Sequence, residues 1–410
     1  MAEIKITKNK ETILAKKRAI ILLVAFMSFF TLGMHNGAFT IGWVGISDEW
    51  GLALSYTGPL IMVMMFMFSL SSSMLGRLQR YLWIERIDFL GTVALAVALV
   101  VVALSQNFAM LIFAFALIGI GSGMIESSIN AYMTECFTAR HSNWSYLVWG
   151  VGATISPLIM SQSMLRSSWR MGYFILAFLI GAVSVFVIAS SLKGVWKKNE
   201  PLETHGEEKS ISWNFLSKTR HKVGALATCF IYGGLDYSLV FFTTAIMLER
   251  GVSLETVALF PSVYYFCVMG GRMIFGWLAK WLSDTATIRI GLGIALVGVA
   301  VLMLSSSLIG MGLAGFGIAP VFPTLMHDTS NRFSPKTLAK QVGYEVAACG
   351  SGMAILFFLM GVVLEQTSME MLYPISVAFI VIIFVLNEVL EYALKAHNSV
   401  GSTEKSHASR

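Results

Sequence analysis

Residues 87–105 read IDFLGTVALAVALVVVALS, and past Gln106 and Asn107 residues 108–135 continue FAMLIFAFALIGIGSGMIESSINAYMTE. Each run supplies the roughly 20 apolar residues that a helix needs to cross a hydrocarbon core about 30 Å thick. Irregular backbone cannot face lipid, because its N–H and C=O groups would go unpaired, so both runs are expected to be membrane-spanning helices. With a window of about 19 residues, the same pattern recurs twelve times: 19–44, 55–78, 87–105, 108–135, 143–165, 170–192, 222–247, 256–279, 286–306, 308–330, 338–364 and 371–394. Nearly all of the 23 acids fall in loops or at helix ends; the exceptions are Glu126, Asp236 and Glu345.

Composition points the same way. Of 410 residues, 56% are hydrophobic and 13% charged, with a mean hydropathy of +0.73; soluble domains carry nearer a quarter charged residues. The net charge of +6 lies in short clusters between apolar runs, a topology signal rather than a nucleic-acid surface. Of 29 Lys and Arg, only Arg166, Arg170 and Arg250 fall opposite the termini, so both termini are expected in the cytoplasm. The basic start, MAEIKITKNKETILAKKR, precedes an apolar run without a small-residue cleavage site, which predicts an uncleaved first span. Cys136, Cys229, Cys267 and Cys349 show no CxxC spacing, which points away from a disulfide framework or a zinc site.

One long polar segment, Lys193 to Arg220, divides the chain into a six-helix half at 1–192, a cytoplasmic linker at 193–220 and a second six-helix half at 221–410. The halves align at an offset of 200. Gly33-Met34-His35-Asn36 lies over Gly233-Gly234-Leu235-Asp236, Gly76 over Gly276, and Gly150-Val151-Gly152 over Gly350-Ser351-Gly352. The fold class is therefore an all-α membrane protein with twelve transmembrane helices in two pseudo-symmetric six-helix bundles.

Several segments resemble the major facilitator superfamily, and within it the branch of fucose, galactose and glucose:proton symporters. They are Phe29-Phe30-Thr31-Leu32-Gly33, GIGSGMIESSINAY (119–132), NWSYLVWGVGATISPL (143–158), YGGLD (232–236), GGRMIFG (270–276) and GIAPVFPT (317–324). The acidic-and-arginine signature usual after helix 2 is not intact, since the chain reads Gly76-Arg77-Leu78-Gln79-Arg80-Tyr81 without an Asp. Asn36 stands where the branch often has an acid. The resemblance implies uptake of a monosaccharide with protons by alternating access, and an acid in helix 4 that couples the proton, here Glu126.

A charge near the bilayer centre costs about 2.5–3.5 kcal/mol on insertion scales, so each one is a functional candidate. Glu126, Asp236, Arg272 and Glu345 are the candidates for proton coupling. Glu126 and Asn130 share a face of helix 4 at i, i+4 spacing. Asp236 and Arg272, on adjacent helices, are expected to pair, either as a fixed bridge or as a switch. Glu345, five residues beyond Lys340, reads either as a shallow residue reaching cytoplasmic water or as a second titrating carboxylate. His327-Asp328 reads as a gate or cap at the end of helix 10.

A sugar needs amide and hydroxyl partners and an aromatic face in a largely apolar site. The substrate-binding candidates are His35, Asn36, Asn130, Trp149, Gln162, Tyr232, Tyr264, Tyr265 and Tyr344; His35 equally reads as a hydrogen-bonded structural residue. Trp43, Trp169 and Trp277 are expected to face lipid or the interfacial belt. Pro320 and Pro323, with Gly315 and Gly317, make helix 10 a place to kink, and Pro157 offers a second. No GxSxG, HExxH or P-loop stands in the required context, so no enzyme activity and no cofactor is expected. The expected partners are a small-molecule substrate, a proton and the lipid bilayer, without nucleic acid, for a monomer in the inner membrane. Export of amphipathic compounds, carriage of an ionic substrate and a transport-dead sensor are the other readings.

Overall fold

A computed structural model describes the backbone of residues 2–137, 139–192, 196, 215–332 and 335–408, and every regular element among them is helical. The chain divides into two units, Met1–Glu207 and Glu208–Arg410.

The first unit contains α1 (Ala2–Trp50), α2 (Thr57–Ser73), α3 (Leu75–Leu78), α4 (Ile84–Leu104), α5 (Phe108–Cys136), α6 (Ala139–Arg166) and α7 (Trp169–Leu192). The second contains α8 (Phe215–Glu249), α9 (Leu254–Val257), α10 (Leu259–Leu278), α11 (Asp284–Leu304), α12 (Leu308–Ile318), α13 (Val321–Arg332), α14 (Pro335–Gln366) and α15 (Leu372–Ala408). Gly51 (φ +62°) and Gly251 (φ +79°) stop α1 and α8; in that left-handed conformation a side chain would be strained. Asn107 caps α5 through its side chain (Met110 N–H, 3.0 Å) and Ser307 caps α12 (Ile309 N–H, 3.2 Å), again 200 residues apart.

Eleven helical segments among the described residues are long and apolar enough to cross a membrane. The expected twelfth is α6, which has 28 residues but falls short in hydropathy because Thr154, Ser156, Ser161, Gln162 and Ser163 interrupt it. It packs on α1, and small residues let the two backbones meet. A Cβ on Gly33 would overlap the Trp149 carbonyl oxygen, and one on Gly152 the Phe30 carbonyl oxygen. The second unit repeats the contact between α8 and α14: Gly233 against Cys349, Gly352 against Phe230.

The uniform offset of 200 needs one correction. Gly119 abuts Met64 while Gly315 abuts Tyr264, and Gly121 meets Gly91 while Gly317 meets Gly291. Helices α2 and α4 thus keep the 200 register against α10 and α11, whereas α5 runs at 196 against α12 and α13. Four residues are about one helical turn, so the deletion preserves the inward face.

Helix 10 breaks where its prolines predicted. Helix α12 stops at Ile318 and α13 starts at Val321, with Ala319 and Pro320 between them, whereas Pro157 lies within α6 without ending it. The expectation for the tryptophans holds for Trp277, 61% exposed, and fails for Trp43 and Trp169, which are buried at 2% and 3%. The Trp169 indole is drawn inward because its Nε1 donates to Glu49 at 2.7 Å. Part of the segment read as linker also folds back. Trp196 is buried against Tyr132 (ring centroids 4.9 Å apart) and donates to Ser190 Oγ at 3.0 Å.

The backbone contacts give a direct test. Gly352→Ala sets a methyl on the Phe230 backbone, which cannot retreat, and should cost about 1–3 kcal/mol as overpacking does. Gly276→Ala meets nothing within 4 Å and should be neutral or stabilising by up to about 1 kcal/mol. Thermal unfolding of both variants in detergent checks the contrast; equal shifts would contradict it.

Candidate functional site

In the first unit the candidate groups sit on α1, α5 and α6. Glu126 is half-buried on α5 and makes no hydrogen bond or ion pair with a described side chain. One turn further, Asn130 donates from Nδ2 to the Tyr146 hydroxyl at 3.1 Å, and the Tyr146 ring stands edge-on to Phe29 with centroids 5.0 Å apart. The expected shared face of Glu126 and Asn130 thus meets a tyrosine that sequence reasoning passed over. Its signal was the i, i+3 spacing from Trp149, itself half-buried and packed against the apolar cluster around Phe29 and Ile129.

His35 is buried at 7%, with Nδ1 3.4 Å from the Thr31 carbonyl and Nε2 3.3 Å from Ser122 Oγ. It therefore ties α1 to α5. Asn36 is half-buried and returns its amide N–H to the Leu32 carbonyl at 3.0 Å, which leaves its Oδ1 to accept. Gln162 is exposed and stands apart; sixteen residues along α6 from Tyr146, it lies about 24 Å from it.

One buried acid escaped the sequence reading. Asp88, expected at a helix end, is fully enclosed in the first turns of α4, where Ser28 Oγ of α1 donates to Oδ2 at 2.9 Å. Its other oxygen has no hydrogen-bond partner among the described residues. The 60-residue separation from Ser28 carries no local pattern that could have revealed the pair.

The second unit carries its candidates on α8, α10, α13 and α14. Asp236 does not pair with Arg272 as expected; the described ion pairs do not include it, and its Oδ1 accepts a short hydrogen bond from the Tyr264 hydroxyl. Arg272 lies eight residues beyond Tyr264 on α10, about 12 Å along the axis, and stays within electrostatic reach of Asp236 and Tyr232. Tyr264 is enclosed at 1% and Tyr265, edge-on to it at 5.6 Å, at 6%. Tyr232 lies nearly parallel to Phe322, centroids 5.5 Å apart and planes 22° apart. Phe322 follows the break at Pro320, so the kink helps to set that ring against α8.

Of the two readings of Glu345, the shallow one that reaches cytoplasmic water is not met, since the residue is 1% exposed and engaged, whereas the neighbouring Tyr344 is 49% exposed. His327 Nδ1 lies 2.9 Å from Asp284 Oδ2 and joins α13 to α11, while Asp328 is buried at 4%. Among the described residues no cluster of three His, Cys, Asp or Glu could hold a metal ion.

The sequence profile of the Major Facilitator Superfamily matches residues 21–356. The glucose/mannose transporter GlcP of Bacillus subtilis strain 168 is 24% identical over 384 residues, covering 88% of this chain and 92% of its own. Among solved structures, the nucleoside transporter NupG superposes with a TM-score of 0.73 at 12% identity, over 91% of this chain and 99% of that one. The peptide transporter POT reaches 0.72 at 12% identity, over 91% and 95%. A bacterial homologue of the human lysosomal transporter Spinster reaches 0.67 at 14%, over 92% and 97%. At these identities the structures establish the fold alone.

The Tyr264–Asp236 bond carries a testable energy. A hydrogen bond to a charged group contributes about 1.5–3 kcal/mol, so Tyr264→Phe should lower the apparent unfolding temperature in detergent. In a double-mutant cycle with Asp236→Asn, the second substitution should cost much less in the Tyr264→Phe background than alone. Strict additivity would show that the two groups do not support each other.

Proposed function

Because the chain belongs to the Major Facilitator Superfamily, we propose that this multi-pass membrane protein is a secondary transporter that takes up a monosaccharide, a hexose or deoxyhexose, together with protons by alternating access. The observation that carries the reading is the near full-length match to the glucose/mannose transporter. The chemistry of both units supports it. The Asn130–Tyr146 pair and the Asp236–Tyr264 pair present amide, hydroxyl and carboxylate groups of the kind a ring of sugar hydroxyls requires, and the Tyr232–Phe322 stack offers a ring face for C–H surface.

Glu126 is the group proposed to take up the proton. It is half-buried and has no hydrogen-bonded partner among the described residues, so gaining or losing a proton there changes the charge of the helix face that also carries Asn130. Asp236, fixed by Tyr264, is better suited to accept from the solute than to shuttle protons. An ionic substrate is less well supported, because Glu345, one of the two charges that argued for it, is enclosed and already engaged. The protein is proposed to act as a monomer in the cytoplasmic membrane; the distribution of Lys and Arg supports placing both termini in the cytoplasm.

Reconstituted liposomes test this with labelled glucose, mannose, galactose and fucose, with and without an inward proton gradient. At least one sugar should accumulate above its external concentration only when the gradient is imposed. Glu126→Gln should abolish accumulation while exchange of labelled for unlabelled sugar persists. Failure of every sugar to enter or compete rules out the sugar reading; gradient-driven accumulation by the variant removes Glu126 from the coupling role.

A further inference from the structure

Of the three bases that the sequence puts opposite the termini, two close onto an acid of their own unit. In the first unit Arg170, second residue of α7, bonds Glu49 near the end of α1, where the Trp169 indole also donates at 2.7 Å. The same guanidinium reaches the Ser105 carbonyl that ends α4 at 3.4 Å and lies over the Trp169 ring at 4.2 Å. In the second unit Arg250, following α8, grips Glu370 with two bonds of 2.9 and 2.7 Å at the entry to α15. It also reaches the Leu302 carbonyl in the last turn of α11 at 3.2 Å and lies over Tyr373 at 5.6 Å.

The two constructions occupy matching places with the polarity exchanged. Counting by 200, the acid Glu370 falls on the base Arg170, and the base Arg250 falls on Trp50, beside the acid Glu49. Opposite side chains therefore meet one constraint: the end of the first helix of each unit is tied to the third and the sixth. An isolated exposed ion pair contributes about 0–1 kcal/mol; here each arginine also satisfies a helix-end carbonyl and covers an aromatic ring, which makes it a junction of three helices.

We infer that these are paired latches, and that Glu49, Arg170, Arg250 and Glu370 are positioning residues for the helices that carry the candidate solute contacts. Asn36 lies 13 residues before Glu49 on α1 and Asp236 lies 14 before Arg250, both about 20 Å from the latch. With that end pinned, α1 and α8 move only with their own unit, and the height and rotation of Asn36 and Asp236 are set from the far end of the helix. The inference concerns helix geometry within each unit and does not require the solute to be a sugar.

Full-length chain in nanodiscs, with the four native cysteines replaced, provides the test. Spin labels at Asp48→Cys and Gln106→Cys report the first latch, and labels at Glu249→Cys and Leu304→Cys the second. Glu49→Gln should broaden the distance distribution in the first unit only, and Arg250→Gln in the second unit only. The exchanged pairs, Glu49→Arg with Arg170→Glu and Arg250→Glu with Glu370→Arg, should return narrow distributions. In liposomes that carry labelled glucose, each single variant should raise KM several-fold while maximal flux per folded carrier changes less than twofold, a split that simple loss of folded protein would not produce. Narrow distributions in both single variants, or exchanged pairs that stay broad in both units, overturn the latch. The same flux measurement is made with whichever sugar of the panel the wild-type protein carries; if it carries none, the sugar reading fails while the label distances still decide this one.

Discussion

Helices in lipid gain nothing from hiding apolar side chains from one another, so what holds each unit together is the approach of backbone to backbone. Helix α1 meets α6 where Gly33 and Gly152 admit each other's carbonyl groups, and α8 meets α14 at Gly233 and Gly352 in the same way. Close approaches of the same kind set α2 and α4 against α5 at Gly119 and Gly121, and α10 and α11 against the helix 10 segments at Gly315 and Gly317. The contact with α1 explains why α6 tolerates Thr154, Ser156 and Gln162: a helix held by close packing does not need the hydropathy of one that lipid alone must retain.

Polar groups are then distributed by what the packing encloses. Ser28 with Asp88 and His35 with Ser122 join helices within the first unit, and Asp236 with Tyr264 does so in the second. Each is a buried donor or acceptor whose partner lies on another helix, which is how such groups become tolerable away from water. Glu126, half-buried on α5, differs from these. Among the described residues it has no hydrogen-bonded partner, it lies on the helix face that also carries Asn130, and that is the ground for giving it the proposed proton.

The helices and the duplication were legible in sequence because both are written in local pattern: runs of about 20 apolar residues, and glycines that recur at one spacing. Pairings were not. Charge complementarity alone matched Asp236 with Arg272, but the hydrogen bond to Asp236 comes from Tyr264, eight residues and about 12 Å of axial rise before Arg272 on α10. Asp88 looked like a helix-end acid because the apolar run begins at residue 87; the surrounding helices that bury it are distant in the chain. Trp43 and Trp169 were assigned to the interface from residue type, and the structure buries both, one of them on a carboxylate that the sequence had shown only as a loop charge.

The one-turn shortening of helix 10 changes which residues are true counterparts. In the 196 register the residue that answers Glu126 is Phe322, and the residue that answers its neighbour Asn130 is Met326. Twin scaffolds have thus come to hold an acid at a given height in one copy and a flat hydrocarbon ring, laid against Tyr232, in the other. The two units therefore do not mirror each other in charge: one position of the repeat carries a carboxyl group in the first and an aromatic ring in the second.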